Sequence, residues 1–263
     1  MKGPHRASPR DGSAPRGVLS LEGVDPSRVH REWQVTNTLW ALVQRLVAFV
    51  LLVLVIPLML VLYVPVRVAA RAPFLFRQKR PGFMGREFTI WKITTMRQGS
   101  DKVAKYEKGV AIDDPNVTRI GRFLRDTKTD ELPQLWNVVR GEMELVGPRP
   151  IAPGLNEMLN RAIPGFNQRY LVKPGLTNVS QVSVLENALG DKTVADWKLR
   201  FEGELHYIRN KSVSYDLILL VLTVFFVLRK AGRRMFWPKR RKGRLVRIDS
   251  AGPVQQTGSK RSA

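Results

Sequence analysis

Two carboxylates stand side by side in this sequence, Asp130 and Glu131, immediately after Thr129. Thr129 as an N-cap, acids in the next positions, Pro133 close behind and Gly141 just past Arg140 predict a helix that begins at the pair. Ionised carboxylates are favoured in the first turn of a helix, and phosphates are drawn to the same place. An ionised Asp there can act as a nucleophile and carry a covalent intermediate. A neighbouring Glu can hold a divalent cation, since hard cations take oxygen ligands. Taken alone, an Asp-Glu pair at a helix start needs no explanation beyond capping.

Other chemistries find little support. His5, His30 and His206 are scattered, and the absence of Cys excludes disulfides and thiolate metal sites. No P-loop and no dinucleotide-type glycine motif occurs. The net charge of +22, with a pI near 11.0, implies an anionic partner: nucleic acid, phosphorylated substrate or acidic lipid. Half of that charge belongs to residues 229–263, which hold twelve Lys/Arg against one Asp. This tail follows an apolar segment directly. Its position favours anionic membrane lipids over nucleic acid as the partner, at about 1 kcal/mol per basic residue near the surface.

The elements that must position the pair are legible in outline. Residues 1–37 are polar, rich in Pro, Gly, Ser and Arg, and read as a disordered tail. From Leu46 to Val66 there are 21 residues without a charge, enough to cross a bilayer. Pro57 divides this run, and basic residues flank both ends, which favours keeping both ends cytoplasmic. A kinked single span and a re-entrant helix broken at Pro57 both fit; the expectation carried forward is a re-entrant anchor over residues 38–66. The stretch PGFMGREFTIWK predicts a hairpin, with a turn at Gly82–Gly85 and Phe88 and Ile90 alternating inward. Residues 98–117 read as loop, Arg119–Leu124 as a short amphipathic helix, and Leu217–Leu228 as a core or interfacial helix too short for a span.

Residues 118–150, TRIGRFLRDTKTDELPQLWNVVRGEMELVGPRP, closely resemble the core signature of the bacterial sugar transferase family. These are the monotopic polyprenol-phosphate phosphoglycosyl transferases, and the resemblance implies their small form, which lacks a large N-terminal membrane domain. The resemblance extends through FRQKRPGFMGREFTIWKITTM (76–96), VKPGLTNVSQV (172–182) and HYIRNKSVSYDLILLVLTV (206–224), and covers roughly residues 40–228. It implies that Asp130 and Glu131 are the catalytic dyad. Asp130 would attack the sugar-bearing phosphate of a UDP-sugar and release UMP. A polyprenol (undecaprenyl) phosphate would then displace Asp130, as the first step of cell-surface polysaccharide synthesis. Glu131, with Asp130, would bind Mg²⁺. Both substrates are polyanions, so cations must offset charge at the transferred group. Lys92, Arg125 and Arg149 are assigned that work; Arg119 and Arg122 are read as solvated charges. Arg149, between Pro148 and Pro150, lies in a loop the family uses at the nucleotide end. Gln78, Arg80 and Gly82 match a Q-x-R-x-G turn. Pro174, Gly175, Thr177 and Gln181 match a PG-x-T loop whose Gly and Pro set turns.

Several residues depart from the family pattern. Ile56-Pro57 replaces Ser-Pro, Thr94 stands where Arg is usual, and Glu144 brings an extra negative charge expected beside the phosphate site. Asn178 replaces a Gly, as the non-Gly residue best suited to left-handed backbone, and Glu204 replaces an Asp.

The resulting expectation is an α/β, mixed helical and short-strand cytosolic catalytic domain over residues 67–228. An N-terminal membrane-embedded helix holds it at the inner membrane, facing the cytoplasm, and a polybasic tail follows at 229–263. Downstream glycosyltransferases are conceivable partners. The alternative is a catalytically impaired family member serving as a membrane scaffold for glycan enzymes.

Overall fold

A single helix, α1 (Glu32–Ala70), carries the apolar run and continues unbroken through Pro57 and Pro65. The break expected at Pro57 is therefore absent from the helical path, and the helix passes the expected boundary at Val66 by a full turn. Proline removes one helical hydrogen bond, but the turns on either side are both anchored to the same domain, so the helix carries through. The chain leaves α1 at Arg71, whose φ of 52° lies in the left-handed region. The structure is a computed structural model and describes residues 32–100, 114–180 and 192–236. The expected N-terminal tail up to residue 31, Gln181 and the basic tail beyond Phe236 lie outside the described residues.

What anchors α1 is a seam. Ala41, Gln44, Ala48, Leu52, Val55, Met59, Leu62, Val66 and Ala70 are the less exposed positions, three or four residues apart, down one side of the helix. The seam is about 44 Å long at the helical rise. Its first half packs with Leu135, Val138, Met143 and Leu219, its second half with Ile93, Leu124 and Ile120. Polar bonds fix its start. Gln44 accepts the Leu145 amide at 2.8 Å, and the Trp40 indole donates to Asp216 at 2.8 Å. The opposite faces expose Leu46, Leu54, Leu60, Val61 and Val68. Thr38–Ala70 is, by length and composition, long and apolar enough to cross a membrane.

The hairpin forms where the turn signals place it. β1 (Leu75–Pro81) and β2 (Glu87–Ile93) pair antiparallel, joined through a 3₁₀ turn at Phe83–Gly85. Its period of two sorts the side chains. Gln78 and Arg80 share one face with Phe88, Ile90 and Lys92, and Phe88 and Ile90 enter the core. On the other face Lys79 pairs with Glu87 at 3.5 Å and Arg77 lies 5.1 Å over the Trp91 ring. α2 (Arg119–Thr127) is capped by Thr118, which accepts from Gly121, and runs one turn longer than its apolar pattern. α3 (Leu135–Val139), β3 (Glu144–Val146), α4 (Pro153–Ala162), a 3₁₀ turn at Phe166–Leu171 and β4 (Gly175–Thr177) follow. α5 (Lys192–Asn210) and α6 (Val213–Phe236) close the described chain. Leu219 of α6 is buried while Leu217, Ile218, Val221 and Phe225 are exposed, which agrees with the core-or-interfacial expectation.

The parallel pair β3–β4 comes together through two glycines. A Cβ on Gly175 would stand 2.0 Å from the Gly147 amide nitrogen, and one on Gly147 would stand 2.5 Å from the Lys173 carbonyl. Gly175 of the PG-x-T loop thus serves close backbone approach, where the sequence suggested a turn. Two departures find a place here. Glu144 does not add charge to a phosphate site; it is buried against Lys211, between α5 and α6, with which it makes an ion pair. Asn178 is buried, and it is not among the described non-glycine residues with positive φ, so the position does not demand left-handed backbone.

Gly175→Ala is expected to cost about 3 kcal/mol or more, because backbone rather than a mobile side chain meets the new methyl; thermal unfolding in detergent checks this. The two ends of α1 rest on one domain. Single cysteines at Thr38 and Arg71, in a chain with no native Cys, are accordingly expected to react with impermeant thiol reagents from the same side of a vesicle. Labelling from opposite sides would show a full crossing.

Candidate active site

Asp130 and Glu131 lie on a six-residue 3₁₀ segment, Thr129–Gln134, and not in the first turn of an α-helix. The α-helix expected from Asp130 does not start there; Pro133, which has no N–H, cannot make what would be its first intrahelical bond, and the segment is 3₁₀ instead. Thr129 is not the cap. Lys128 precedes the segment with φ 60°, and the Thr129 hydroxyl bonds that of Thr127 at 2.7 Å. The expected stop is in place: Gly141, with φ 75°, follows α3 and its amide donates to Val138. The charge state of the pair is consequently set by burial and by neighbouring side chains more than by a helix dipole.

Both carboxylates are nearly withdrawn from solvent, Asp130 at 7% and Glu131 at 5% exposure. An unpaired buried charge is costly, and Glu131 is paired twice. Lys92 Nζ of β2 donates to Glu131 Oε1 at 2.9 Å. Arg149 meets the same carboxylate with both guanidinium nitrogens, Nη1 to Oε2 at 3.1 Å and Nη2 to Oε1. Burial alone would push the Glu131 carboxyl upward, but Arg149 and Lys92, joined by Lys128, outweigh it and hold it well below the usual range. Asp130 differs. Burial pushes its carboxyl up, against the pull of Lys92, and the Glu131 charge pushes the same way as burial. Its Oδ1 is buried without a hydrogen-bond partner among the described residues.

The remaining sequence-selected residues converge on this pair. Arg80 donates to the Pro150 carbonyl through Nη1, and to Gln78 Oε1 through Nε at 3.2 Å and Nη2 at 2.9 Å. Burial, with Arg149 adding to it and Glu131 opposing, brings the Arg80 guanidinium down to about 10. Burial likewise lowers Lys92, partly countered by Glu131. The Pro148 carbonyl accepts the Gly175 amide at 3.0 Å. Arg125 of α2 donates to Thr95 Oγ1 at 2.8 Å and exerts its charge on Asp130. Arg119 and Arg122 are exposed. Thr94 commits its hydroxyl to the Pro73 carbonyl at 2.6 Å. Sequence reasoning missed Lys128, whose charge acts on both carboxylates. Its place two residues before the pair was the available signal. It also missed Arg169, which carries no local motif.

A metal fits the pair only in part. Both Glu131 oxygens are engaged by cations, which leaves the Asp130 carboxylate, whose Oδ1 is buried without a hydrogen-bond partner among the described residues. No cluster of three His, Cys, Asp or Glu residues suited to a metal occurs among the described residues. What the arrangement offers chemically is one buried, unbonded carboxylate oxygen within a ring of fixed positive charge, where a phosphoryl group would be attacked and its charge offset.

The family model described as bacterial sugar transferase matches residues 35–230. A UDP-glucose:undecaprenyl-phosphate glucose-1-phosphate transferase of Klebsiella pneumoniae is 38% identical over 182 residues, which is 68% of this chain and 38% of that protein. A protein of the same name from Caulobacter vibrioides is 40% identical over 179 residues, 67% of this chain and 65% of its own length. An uncharacterised sugar transferase of Bacillus subtilis is 36% identical over 168 residues, covering 64% of this chain and 76% of that one. The chain thus spans less than two thirds of the glucose-1-phosphate transferases it matches.

The opposed influences on Asp130 give a signed test. Lys92→Met removes the pull toward ionisation and is expected to raise the midpoint of Asp130 further. Glu131→Gln removes a like charge and is expected to lower it. Carboxyl chemical shifts in a ¹³C-aspartate-labelled sample, followed against pH, report both; shifts in one common direction would contradict the assignment of these charges.

Proposed function

We propose that this chain, which belongs to the bacterial sugar transferase family, transfers a sugar 1-phosphate from a UDP-sugar to a polyprenol phosphate such as undecaprenyl phosphate. The observation that carries the reading is the contrast within the dyad. Glu131 spends its charge on Arg149 and Lys92, while Asp130 keeps a buried oxygen unbonded. The first is a fixture, the second a nucleophile. The relatives' names support the donor and acceptor classes.

The reaction balances in two displacements. An Asp130 carboxylate oxygen attacks the sugar-bearing phosphorus, and the bond from that phosphorus to the bridging oxygen breaks, releasing UMP. The polyprenol phosphate oxygen then attacks the same phosphorus and returns the Asp130 carboxylate. Arg149, Lys92 and Arg125 offset charge on the transferred phosphoryl group, and Arg80 with Gln78 holds the loop that presents Arg149. Both Glu131 oxygens are engaged by Lys92 and Arg149, so a Mg²⁺ held by Glu131 and Asp130 would have to compete with those cations. Mg²⁺ is proposed as an ion that enters with the donor diphosphate, which ordinarily supplies part of its coordination.

The anchor suits this chemistry. The acceptor's phosphate lies at the headgroups, so the site must sit against that surface. A helix seated on the domain along its length, with its other faces apolar, supports a domain held on one side of the bilayer. We assign that side to the cytoplasm of the inner membrane, following the basic flanks of α1. Of the two departures behind the alternative of an impaired scaffold, Glu144 is neutralised by Lys211, while Thr94 bonds the Pro73 carbonyl and does not replace the usual guanidinium.

Intact-protein mass spectrometry after incubation with UDP-sugar and Mg²⁺, without acceptor, is expected to show one sugar phosphate added per chain and one UMP released. Hydroxylamine is expected to remove the adduct. Asp130→Asn is expected to abolish it and lower turnover by a factor on the order of 10³ or more. Arg149→Ala is expected to lower turnover about 10²-fold. Full activity in Asp130→Asn would sink the assignment of the site, and turnover without any adduct under rapid quenching would mean direct transfer.

A further inference from the structure

We infer that Arg169 and Glu204 are positioning residues for this site, a buried ion pair that grips the backbone of Arg149 and so aims the guanidinium holding Glu131. The inference rests on the transferase reading of the dyad. Arg169 lies on the 3₁₀ turn Phe166–Leu171 and Glu204 on α5. Their side chains are 1% and 2% exposed, with Arg169 Nη2 2.9 Å from Glu204 Oε1. The same nitrogen donates to the Arg149 carbonyl at 2.7 Å. The backbone of Arg149 also hydrogen-bonds Glu204. One residue after, Arg80 holds the Pro150 carbonyl. The backbone around Arg149 is thereby clamped from two sides, and the root of its side chain is fixed.

The pair is itself held rigid. The Arg169 guanidinium sits 4.8 Å from the Phe166 ring, 5.7 Å from Trp197 and 6.0 Å from Tyr170. A planar cation among aromatic rings has little freedom to turn. A buried ion pair contributes little net stability against apolar groups of the same shape, because two charges must be desolvated. An ion pair at this depth that also binds one particular peptide unit is better explained by what it places. A continuous chain of contacts runs from α5 through Glu204, Arg169 and Arg149 to Glu131, and joins a helix remote from the dyad in sequence to the residue beside the nucleophile.

The test replaces the pair by apolar groups, Arg169→Met with Glu204→Leu, which removes both charges together. The double variant is expected to unfold within a few degrees of the wild-type protein. Its peptide spanning Gly147–Ile151 is expected to exchange amide hydrogens at least tenfold faster. Turnover with UDP-sugar and polyprenol phosphate is expected to fall about 10–100-fold, mainly in kcat, the scale of a small misplacement of a catalytic group. In an Arg149→Ala background the same replacement is expected to cost less than about twofold, because its effect passes through Arg149. Glu204→Asp, which keeps the charge, is expected to retain most of the turnover. Additive losses in the two backgrounds, or unchanged exchange in the loop, would overturn the inference. Should the double variant not fold, Arg169→Lys keeps the charge without the planar fork, and the same exchange and background results are required of it. A wild-type protein without turnover would count against the transferase reading, while the exchange measurement would still decide whether the pair grips the loop.

Discussion

A carboxylate taken out of water must be paid for in opposite charge, and Glu131 imposes that requirement on much of this fold. Its two cations come from elements far apart in the chain, Lys92 from β2 and Arg149 from the loop after β3. The hairpin must present the face that carries Lys92, Gln78 and Arg80, since a register slip of one residue would turn all three outward. The loop must be held so that Arg149 reaches inward, and Arg80 and Arg169 hold it. Asp130 benefits without taking part: it is buried by the same packing, yet its Oδ1 has no hydrogen-bond partner among the described residues.

The long apolar helix belongs to this arrangement and is not a tether. Its seam shares clusters with α3, whose neighbouring 3₁₀ segment bears the dyad, and with Ile93 at the end of β2. Gln44 satisfies the amide of Leu145 in β3, a strand whose ladder partner is β4. Trp40 of α1 and Tyr207 of α5 both donate to Asp216 of α6, at 2.8 and 2.7 Å, and so tie three helices to one carboxylate. The helix with the long apolar face and the segment that carries the dyad are thereby packed into one unit.

The departures from the family pattern show how far a residue's meaning depends on its neighbours. Glu144 in sequence is a negative charge near a phosphate-binding motif; folded, it is the counter-ion of Lys211, 67 positions away. Glu204 in sequence is a longer version of an aspartate; folded, it bears on Arg149. Thr94 lacks the usual guanidinium, and its hydroxyl ties the end of the hairpin to Pro73. Each contact involves an ordered backbone or a distant partner that no local window contains.

The sequence by itself determined the hairpin, the turn at Gly82–Gly85, α2, the helix stop at Gly141 and an apolar helix of membrane length, because turn chemistry, capping and periodicity are local properties. It also selected the residues that gather at the dyad, through motifs whose order matches the family. It misread the start of the dyad segment, where Pro133 blocks the first α-helical bond, and the path at Pro57, where packing on both sides carries the helix through. Tertiary structure alone decided which oxygens are spent and which is left unbonded, that one long face of α1 is covered by the domain, and that Arg169 and Glu204 reach the Arg149 backbone. Those outcomes depend on burial, which sets the cost of a charge, and on contacts between residues tens of positions apart, and neither quantity is encoded in any short stretch of chain.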